Sequence, residues 1–330
     1  MAEAAEGSID ILGIGVVAVD DLIFLEGFPS SDSKMPIVRR ERHAGGLTGT
    51  ALVAARRMGA RCAYAGILGD DELSRFVLDS LEAEGVSVGS VVRRQGARPY
   101  HSTILIDTTT KTRTILFDSD GVVGPDPDHL PEKEILSAGV LFVDHLGLAG
   151  TVRAARLARG AGIPVVADLE VSSAPLLSEL IGLVDHLIVP WNIAAELTGG
   201  ADGRAAARGL WEAPVDPLSG APRAGARSAV VVTRGTDGSW CISAERPGKI
   251  LHQPAFRVET VDTTGCGDVF HGAYAASLRE GRPVAERLRF AAAVAALKAT
   301  RVGGQKGIPT RGEVELFLGE RSGEARGEWA

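Results

Sequence analysis

Four short apolar runs, each leading into polar residues, most constrain what this chain can fold into. Val140-Leu141-Phe142-Val143 ends in Asp144-His145, and Ile163 to Ala167 ends in Asp168. Leu187-Ile188-Val189 leads through Pro190-Trp191 to Asn192, and Ala229 to Val232 ends in Thr233. Between the first two, Thr151 to Arg159 carries a helical pattern that Gly160 and Gly162 close. Runs that are apolar at every position belong to strands covered on both faces, and their alternation with helices is the pattern of a parallel sheet with crossover connections. Ile9 to Val16 reads as one more central strand. Polar residues at the C-terminal edge of such a sheet mark the ligand cleft. The expected fold class is α/β, a central, mostly parallel sheet flanked by helices.

With 330 residues, 45% of them hydrophobic, the chain can bury a large core as one α/β domain plus a small appendage. A net charge of −7 argues against nucleic acid or an anionic membrane as a partner. Cys62, Cys241 and Cys266 lie far apart without metal-ligand spacing, as expected of reduced thiols in a cytoplasmic protein. The apolar stretch Ile9 to Val19 is short and broken by Asp10, Gly13 and Gly15, so it reads as a buried strand rather than a signal peptide or membrane span.

The appendage is legible as β-like runs. Tyr100 to Asp107 and Thr112 to Phe117 alternate around Asp107-Thr108-Thr109-Thr110-Lys111, a hairpin signal. Ile23 to Leu25 and Met35 to Arg42 flank a Pro/Ser/Asp loop and are assigned to the same small sheet, with Lys34 at its edge. Asp20-Asp21 follows the first central strand, and Ala44-Gly45-Gly46 leads toward a helix over Leu52 to Met58. Residues 212–227, rich in Ala, Pro, Gly and Arg, read as an irregular insertion.

The chemistry is concentrated in Val261-Asp262-Thr263-Thr264-Gly265-Cys266-Gly267-Asp268-Val269-Phe270-His271-Gly272-Ala273. Val269, Phe270, Ala273, Tyr274 and Leu278 recur at helical spacing, so a helix starts near Gly267 with one face buried. Its first N–H groups lack intrahelical partners, glycine permits close approach, and the helix dipole favours negative charge. The result is an anion cradle suited to a phosphoryl group. Asp268 would repel that phosphate, which makes sense for a general base that accepts the proton of an attacking hydroxyl. The plainer alternative is an acid that only stabilises the helix start.

Asp-Thr-Thr-Gly-Cys-Gly-Asp-Val-Phe resembles the C-terminal signature of the ribokinase-like (PfkB-type) carbohydrate kinases, in which alanine more often holds the place of Cys266. Ala44-Gly45-Gly46 resembles the first signature of that family, and the strand at Arg61 to Leu68 followed by Gly69-Asp70-Asp71 fits it too. The resemblance covers about residues 9–318 and implies a ribokinase-like fold with a β-sheet lid from about 20–43 and 98–118. It leaves 319–330 as a disordered tail.

By resemblance, Gly265, Cys266 and Gly267 form the anion hole and Asp268 is the catalytic base. Asp20, Gly45, Gly46 and Thr50 hold the sugar, with Thr50 standing where asparagine is usual; Lys34 is a further candidate contact, and Asp144 or His145 can line the same site. Thr233-Arg234-Gly235-Thr236-Asp237-Gly238 matches the family's Thr-x-Gly-x-x-Gly, placing Thr233, Gly235, Gly238, Thr264 and Gly267 near ATP; alone, it reads as a hairpin turn. Asp168 and Glu170 help hold Mg²⁺ through water. The family's Asn-x-x-Glu falls on Pro190 and Ile193 by register, leaving Asn192 and Glu196 as displaced candidates. Some members bind K⁺ through groups equivalent to Asp262 and Thr264 and carbonyls of the 298–304 loop.

The implied activity is ATP-dependent phosphorylation of a small sugar's primary hydroxyl by a homodimer joined through the lid. The segment Gln253 to Val258, Asp-Val-Phe-His-Gly-Ala and Ala295-Ala296-Leu297-Lys298 most resemble the ketohexose and sulfofructose kinase branch. A neutral fructose- or ribose-like sugar is the first expectation, since Lys34 has no second cation clearly placed beside it, and a sulfonated or phosphorylated ketose is next. A nucleoside would need an aromatic wall from Phe24, Phe28 and Tyr100. A non-catalytic sugar or nucleotide sensor is the reading of another class, and the intact Gly-Cys-Gly-Asp speaks against it. Cys266, at a helix N-terminus, raises the further idea of a low-pKa redox thiol.

Overall fold

The computed structural model describes residues 8–212 and 227–330, so the insertion expected at 212–227 lies almost wholly outside the described residues. In chain order the strands are β1 (Ile11–Ile14), β2 (Ala18–Leu25), β3 (Arg39–Gly45), β4 (Cys62–Ala65), β5 (Ile67–Leu68), β6 (Val92–Arg93), β7 (Tyr100–Asp107) and β8 (Thr112–Asp118), followed by β9 (Val140–Asp144), β10 (Val165–Asp168), β11 (His186–Pro190), β12 (Ala229–Thr233), β13 (Ser239–Ser243), β14 (Ile250–Gln253) and β15 (Glu328–Trp329). The helices are α1 (Leu47–Arg57), α2 (Glu72–Ala83), α3 (Glu132–Ser137), α4 (Leu148–Gly160), α5 (Leu177–Leu183), α6 (Trp191–Thr198), α7 (Gly203–Glu212), α8 (Cys266–Arg279), α9 (Val284–Ala299) and α10 (Arg311–Glu320).

The fully apolar runs become the middle of a nine-stranded sheet ordered β15-β14-β13-β12-β11-β10-β9-β1-β4. Pairing is parallel from β4 to β12 and antiparallel from β12 to β15. Alternate residues of one strand feed opposite cores: Val140 and Phe142 join one, Leu141 and Val143 the other. One core is built with α1, α2, α8 and α9, the other with α4, α5 and α7, so both sheet faces are covered. No helix among the described residues is long and apolar enough to cross a membrane.

The second sheet, ordered β3-β2-β7-β8, is the one expected as a lid. Its hairpin turn is organised by Asp107, whose Oδ1 accepts from the N–H groups of Thr109 at 2.8 Å and Thr110 at 3.2 Å, while Lys111 takes a φ of +57°. The outermost strand, β8, is exposed along its whole length, including Ile115, Leu116 and Phe117.

Three expectations shift. Asp20 and Asp21 lie inside β2 rather than beyond the first central strand, because β2 starts at Ala18 and pairs along its length with β7. β3 begins at Arg39 and runs to Gly45, rather than spanning Met35 to Arg42, since Pro36 has no N–H to give a ladder. The C-terminal segment is not wholly irregular: Glu328–Trp329 pairs with β14, and the amides of Ile250 and Ala330 donate to each other's carbonyls at 2.9 Å.

Candidate active site

Two cavities meet at the N-terminus of α8. Gly265, with a φ of +75°, turns the chain into the helix, a conformation that favours glycine. On one side a cavity of about 540 Å³ is lined by Asp20, Gly45, Gly46, Thr50, Gly265 and Asp268, together with lid residues. On the other, a narrower cavity of about 220 Å³ is lined by Thr233, Gly235, Gly238, Cys266 and Gly267 and walled by Phe256, Phe270, Ala292, Ala296 and Ala299. The turn is the partition between them.

Each element positions its residues for a local reason. A β-carbon at Gly45 would stand 2.6 Å from Asp20 Oδ2, so the glycine leaves room for that carboxylate. Gly46 (φ +88°) passes against the backbone of Val16 and Val17 and starts α1, which brings buried Thr50 into the cavity wall. The helix therefore begins five residues before the expected Leu52. At the base of the turn, Asp262 accepts from the N–H of Thr264 through Oδ1 and from that of Gly303 through Oδ2, both at 2.8 Å. The Cys266 N–H donates to Thr263 O at 3.2 Å, so among the turn amides Gly265 and Gly267 are the better-placed donors to a ligand. A β-carbon on Gly267 would meet nothing within 4 Å, which leaves open space above it.

Asp268 sits in the first turn of α8, part-exposed to the cleft. Burial, then the neighbouring carboxylates of Asp168 and Glu170, raise its pKa well above the usual carboxylate value. Asp168, at the end of β10, is raised in the same way, first by burial and then by Glu170; its Oδ2 lies 3.3 Å from His271 Nδ1. Asp20 is raised by burial, offset in part by Ser102, His43 and His101. Asp21, its neighbour on the opposite strand face, is held low by a 2.7 Å contact from Arg42 against the cost of burial and is bound up with His101.

Other candidates are placed elsewhere. Asp144 is structural: its Oδ2 accepts from Val16 N at 2.6 Å and Thr48 Oγ1 at 2.8 Å. His145 lines neither cavity, and neither does Lys34, which is exposed in the loop before β3. Asn192 and Glu196 are exposed on α6, one turn apart, and also line neither. Thr264 faces the larger cavity rather than the narrower one. No group of three or more His, Cys, Asp or Glu among the described residues is arranged to hold a metal ion. The Cys266 thiol is pushed up by burial, opposite to the redox idea. Of the lid aromatics only Phe24 lines the cavity, and the Arg39 guanidinium covers its ring at 3.7 Å.

Sequence reasoning missed the lid's cations. Arg39, Lys111 and Arg113 line the larger cavity, with His43 beside them, and the Arg113 guanidinium donates to Thr264 Oγ1 at 2.7 Å. Strand alternation was the available signal, since Arg113 and Ile115 share a face of β8 and both line the cavity.

Residues 14–311 match the model of the pfkB family carbohydrate kinases. The chain belongs to that family. It is therefore a carbohydrate kinase, with the ribokinase-like fold expected from its signatures. It is 26% identical over 312 residues to a ribokinase of Haemophilus influenzae, covering 92% of this chain and 97% of that protein. A 96-residue stretch is 46% identical to a 2-dehydro-3-deoxygalactonokinase of Haloferax volcanii, covering 29% of this chain and 28% of that one. In fold, it is similar to a solved ribokinase of Arabidopsis thaliana complexed with ribose and ATP, with a TM-score of 0.79, 21% identity and coverage of 94% and 99%.

Proposed function

We propose that this chain transfers the γ-phosphoryl group of ATP to a primary hydroxyl of a small fructose- or ribose-like sugar. The observation that carries this reading is the position of Asp268, beside the glycine turn that divides a cavity bearing charged side chains from a smaller, mainly apolar one. The sugar occupies the larger cavity, held by Asp20, the Gly45-Gly46 turn and Thr50. The adenine lies among Phe256, Ala292 and Ala296, with the phosphates directed along Gly235 to Gly267.

Asp268 holds the hydroxyl by a hydrogen bond and takes its proton late, as the oxygen bonds to phosphorus and the bond to the ADP oxygen breaks. The amides of Gly265 and Gly267 and the dipole of α8 stabilise negative charge on the transferring group. Asp168, buried with an oxygen that accepts no hydrogen bond, and the nearby Glu170 suit a water-bridged Mg²⁺ travelling with the nucleotide. Bound there, Mg²⁺ would neutralise phosphate charge.

A second reading is favoured by the three lid cations, Arg39, Lys111 and Arg113, that line the cavity: the sugar itself carries an acidic group. The local likeness to a 2-dehydro-3-deoxygalactonokinase points the same way. The exposed apolar edge at β8 is also the surface we propose for homodimer contact, checked by light scattering of the Phe117→Asp protein.

The deciding experiment measures ADP release with Mg-ATP across neutral ketoses and pentoses, sugar acids, phosphorylated and sulfonated ketoses, and nucleosides. Turnover of one member that falls about 10²–10⁴-fold in Asp268→Asn, with ATP binding near normal, supports the reading. Equal turnover in the variant would remove Asp268 as base, and no turnover on any sugar despite ATP binding would favour a sensor.

A further inference from the structure

The family resemblance raises a free monovalent cation beside the anion hole, and the residues present do not fit one. The Lys298 side chain, near the end of α9, is fully buried. Its Nζ donates to the Asp262 carbonyl oxygen at 2.9 Å and stands 3.8 Å from Asp262 Oδ2. An ion drawn to the same carbonyl and carboxylate would have to lie against a buried ammonium of like charge. The acceptors around it already share their lone pairs with backbone donors. Both Asp262 carboxylate oxygens accept backbone N–H groups, and the carbonyls of Lys298, Ala299 and Gly303 accept from Arg301, from Val261 and Asp262, and from Gly307.

We propose that the Lys298 ammonium is a tethered replacement for that cation, so that phosphoryl transfer by this chain proceeds without K⁺. The inference rests on the kinase reading above. Lys298 acts as a positioning residue: it pins the Asp262 backbone, the Asp262 side chain fixes the Thr264 amide, and the turn through Gly265 is held for the phosphoryl group. It also places a positive charge near the cradle without an ion-binding equilibrium. Burial lowers its pKa from the usual lysine value, while Cys266, Asp262 and Asp268 act in the opposite direction and Arg113 adds to the lowering.

The test compares KCl with choline chloride at equal ionic strength, following ADP release and the thermal unfolding midpoint of the full chain. Wild-type protein is expected to show the same kcat and midpoint in both. Lys298→Ala is expected to lose kcat about tenfold or more in choline and to regain activity and midpoint saturably with KCl. Should Lys298→Ala fail to fold, Lys298→Met keeps the volume and removes the charge. A saturable K⁺ response of the wild-type midpoint or turnover would overturn the proposal, as would wild-type kcat for Lys298→Met in choline. If no sugar is turned over, the kinase reading fails on its own terms, and the midpoint in the two salts still decides the ion question.

Discussion

The Arg113 guanidinium reaches from the lid to the hydroxyl of Thr264, donating at 2.7 Å across the mouth of the larger cavity. The same guanidinium lies 3.8 Å from Asp262 Oδ1, so one lid side chain is tied to the loop that leads into the Gly265 turn, the cradle we propose for the phosphoryl group. Lid position and cradle geometry are thereby linked. Arg113→Met is expected to raise the sugar KM several-fold and to lower kcat, with the thermal midpoint little changed because the pair is partly exposed. Steady-state kinetics with a melting curve checks this, and unchanged KM and kcat would show that the contact does no catalytic service.

The raised pKa of Asp268 fixes the direction of a pH effect. A general base works only when deprotonated, so kcat/KM falls as pH drops through its pKa. Because burial and the Asp168 and Glu170 carboxylates raise that pKa, the acidic limb is expected well above the ordinary aspartate range. Asp168→Asn removes one of those negative neighbours and should move the limb toward lower pH. A limb that stays in place would show that Asp168 does not act on Asp268 electrostatically.

Gly272 in α8 packs against the backbone of α1, where a β-carbon would fall on the Ala51 carbonyl oxygen. Two backbones cannot yield as a flexible side chain can. Gly272→Ala is expected to cost about 1–3 kcal/mol or more despite the better helix propensity of alanine. Urea unfolding measures this, and a neutral or stabilising result would mean that the helices separate at little cost.

The last helix, α10, starts with a reciprocal cap: Thr310 Oγ1 accepts from Glu313 N, and the Glu313 carboxylate accepts from Thr310 N at 2.7 Å. Thr310→Ala should destabilise the protein by about 1 kcal/mol. Arg301 first, then the cap, lowers Glu313 to a pKa of about 2. Its stabilising effect is therefore complete above the unfolded value of 4.5 and is lost as pH falls through about 2. Melting curves at pH 7 and pH 3 compare wild type with Thr310→Ala, and no deficit at pH 7 would dismiss the cap.

The central sheet was legible because β9 to β12 are apolar at nearly every position, a pattern that few other elements produce. The glycine turn and Asp268 were legible because unusual residues stand together in sequence. Asp20 lines the larger cavity, but it reaches it from within β2 of the small sheet rather than from just past the first central strand. The lid cations were missed because Arg113 and Lys111 look like ordinary exposed charges; only the fold of the hairpin over the cleft brings them to its rim. Asn192 and Glu196 show the reverse error. Side chains of the right type, on a helix after a sheet strand, face solvent once α6 takes its actual rotation.

The two cavities are walled by different kinds of material. Around the smaller cavity, which we propose for the nucleotide, much of the wall is α8 and α9, which also form the core, so a substitution there is felt by the whole molecule. Around the larger cavity, which we propose for the sugar, much of the wall is the four-stranded sheet, whose own apolar cluster holds only Leu22, Phe24 and Ile104 as buried members. Acceptor preference can therefore drift by exchanges on one thin sheet while the phosphate donor and the chemistry stay constant. Selection for a new acceptor would leave its record in residues 18–45 and 100–118 and leave the interior nearly unmarked.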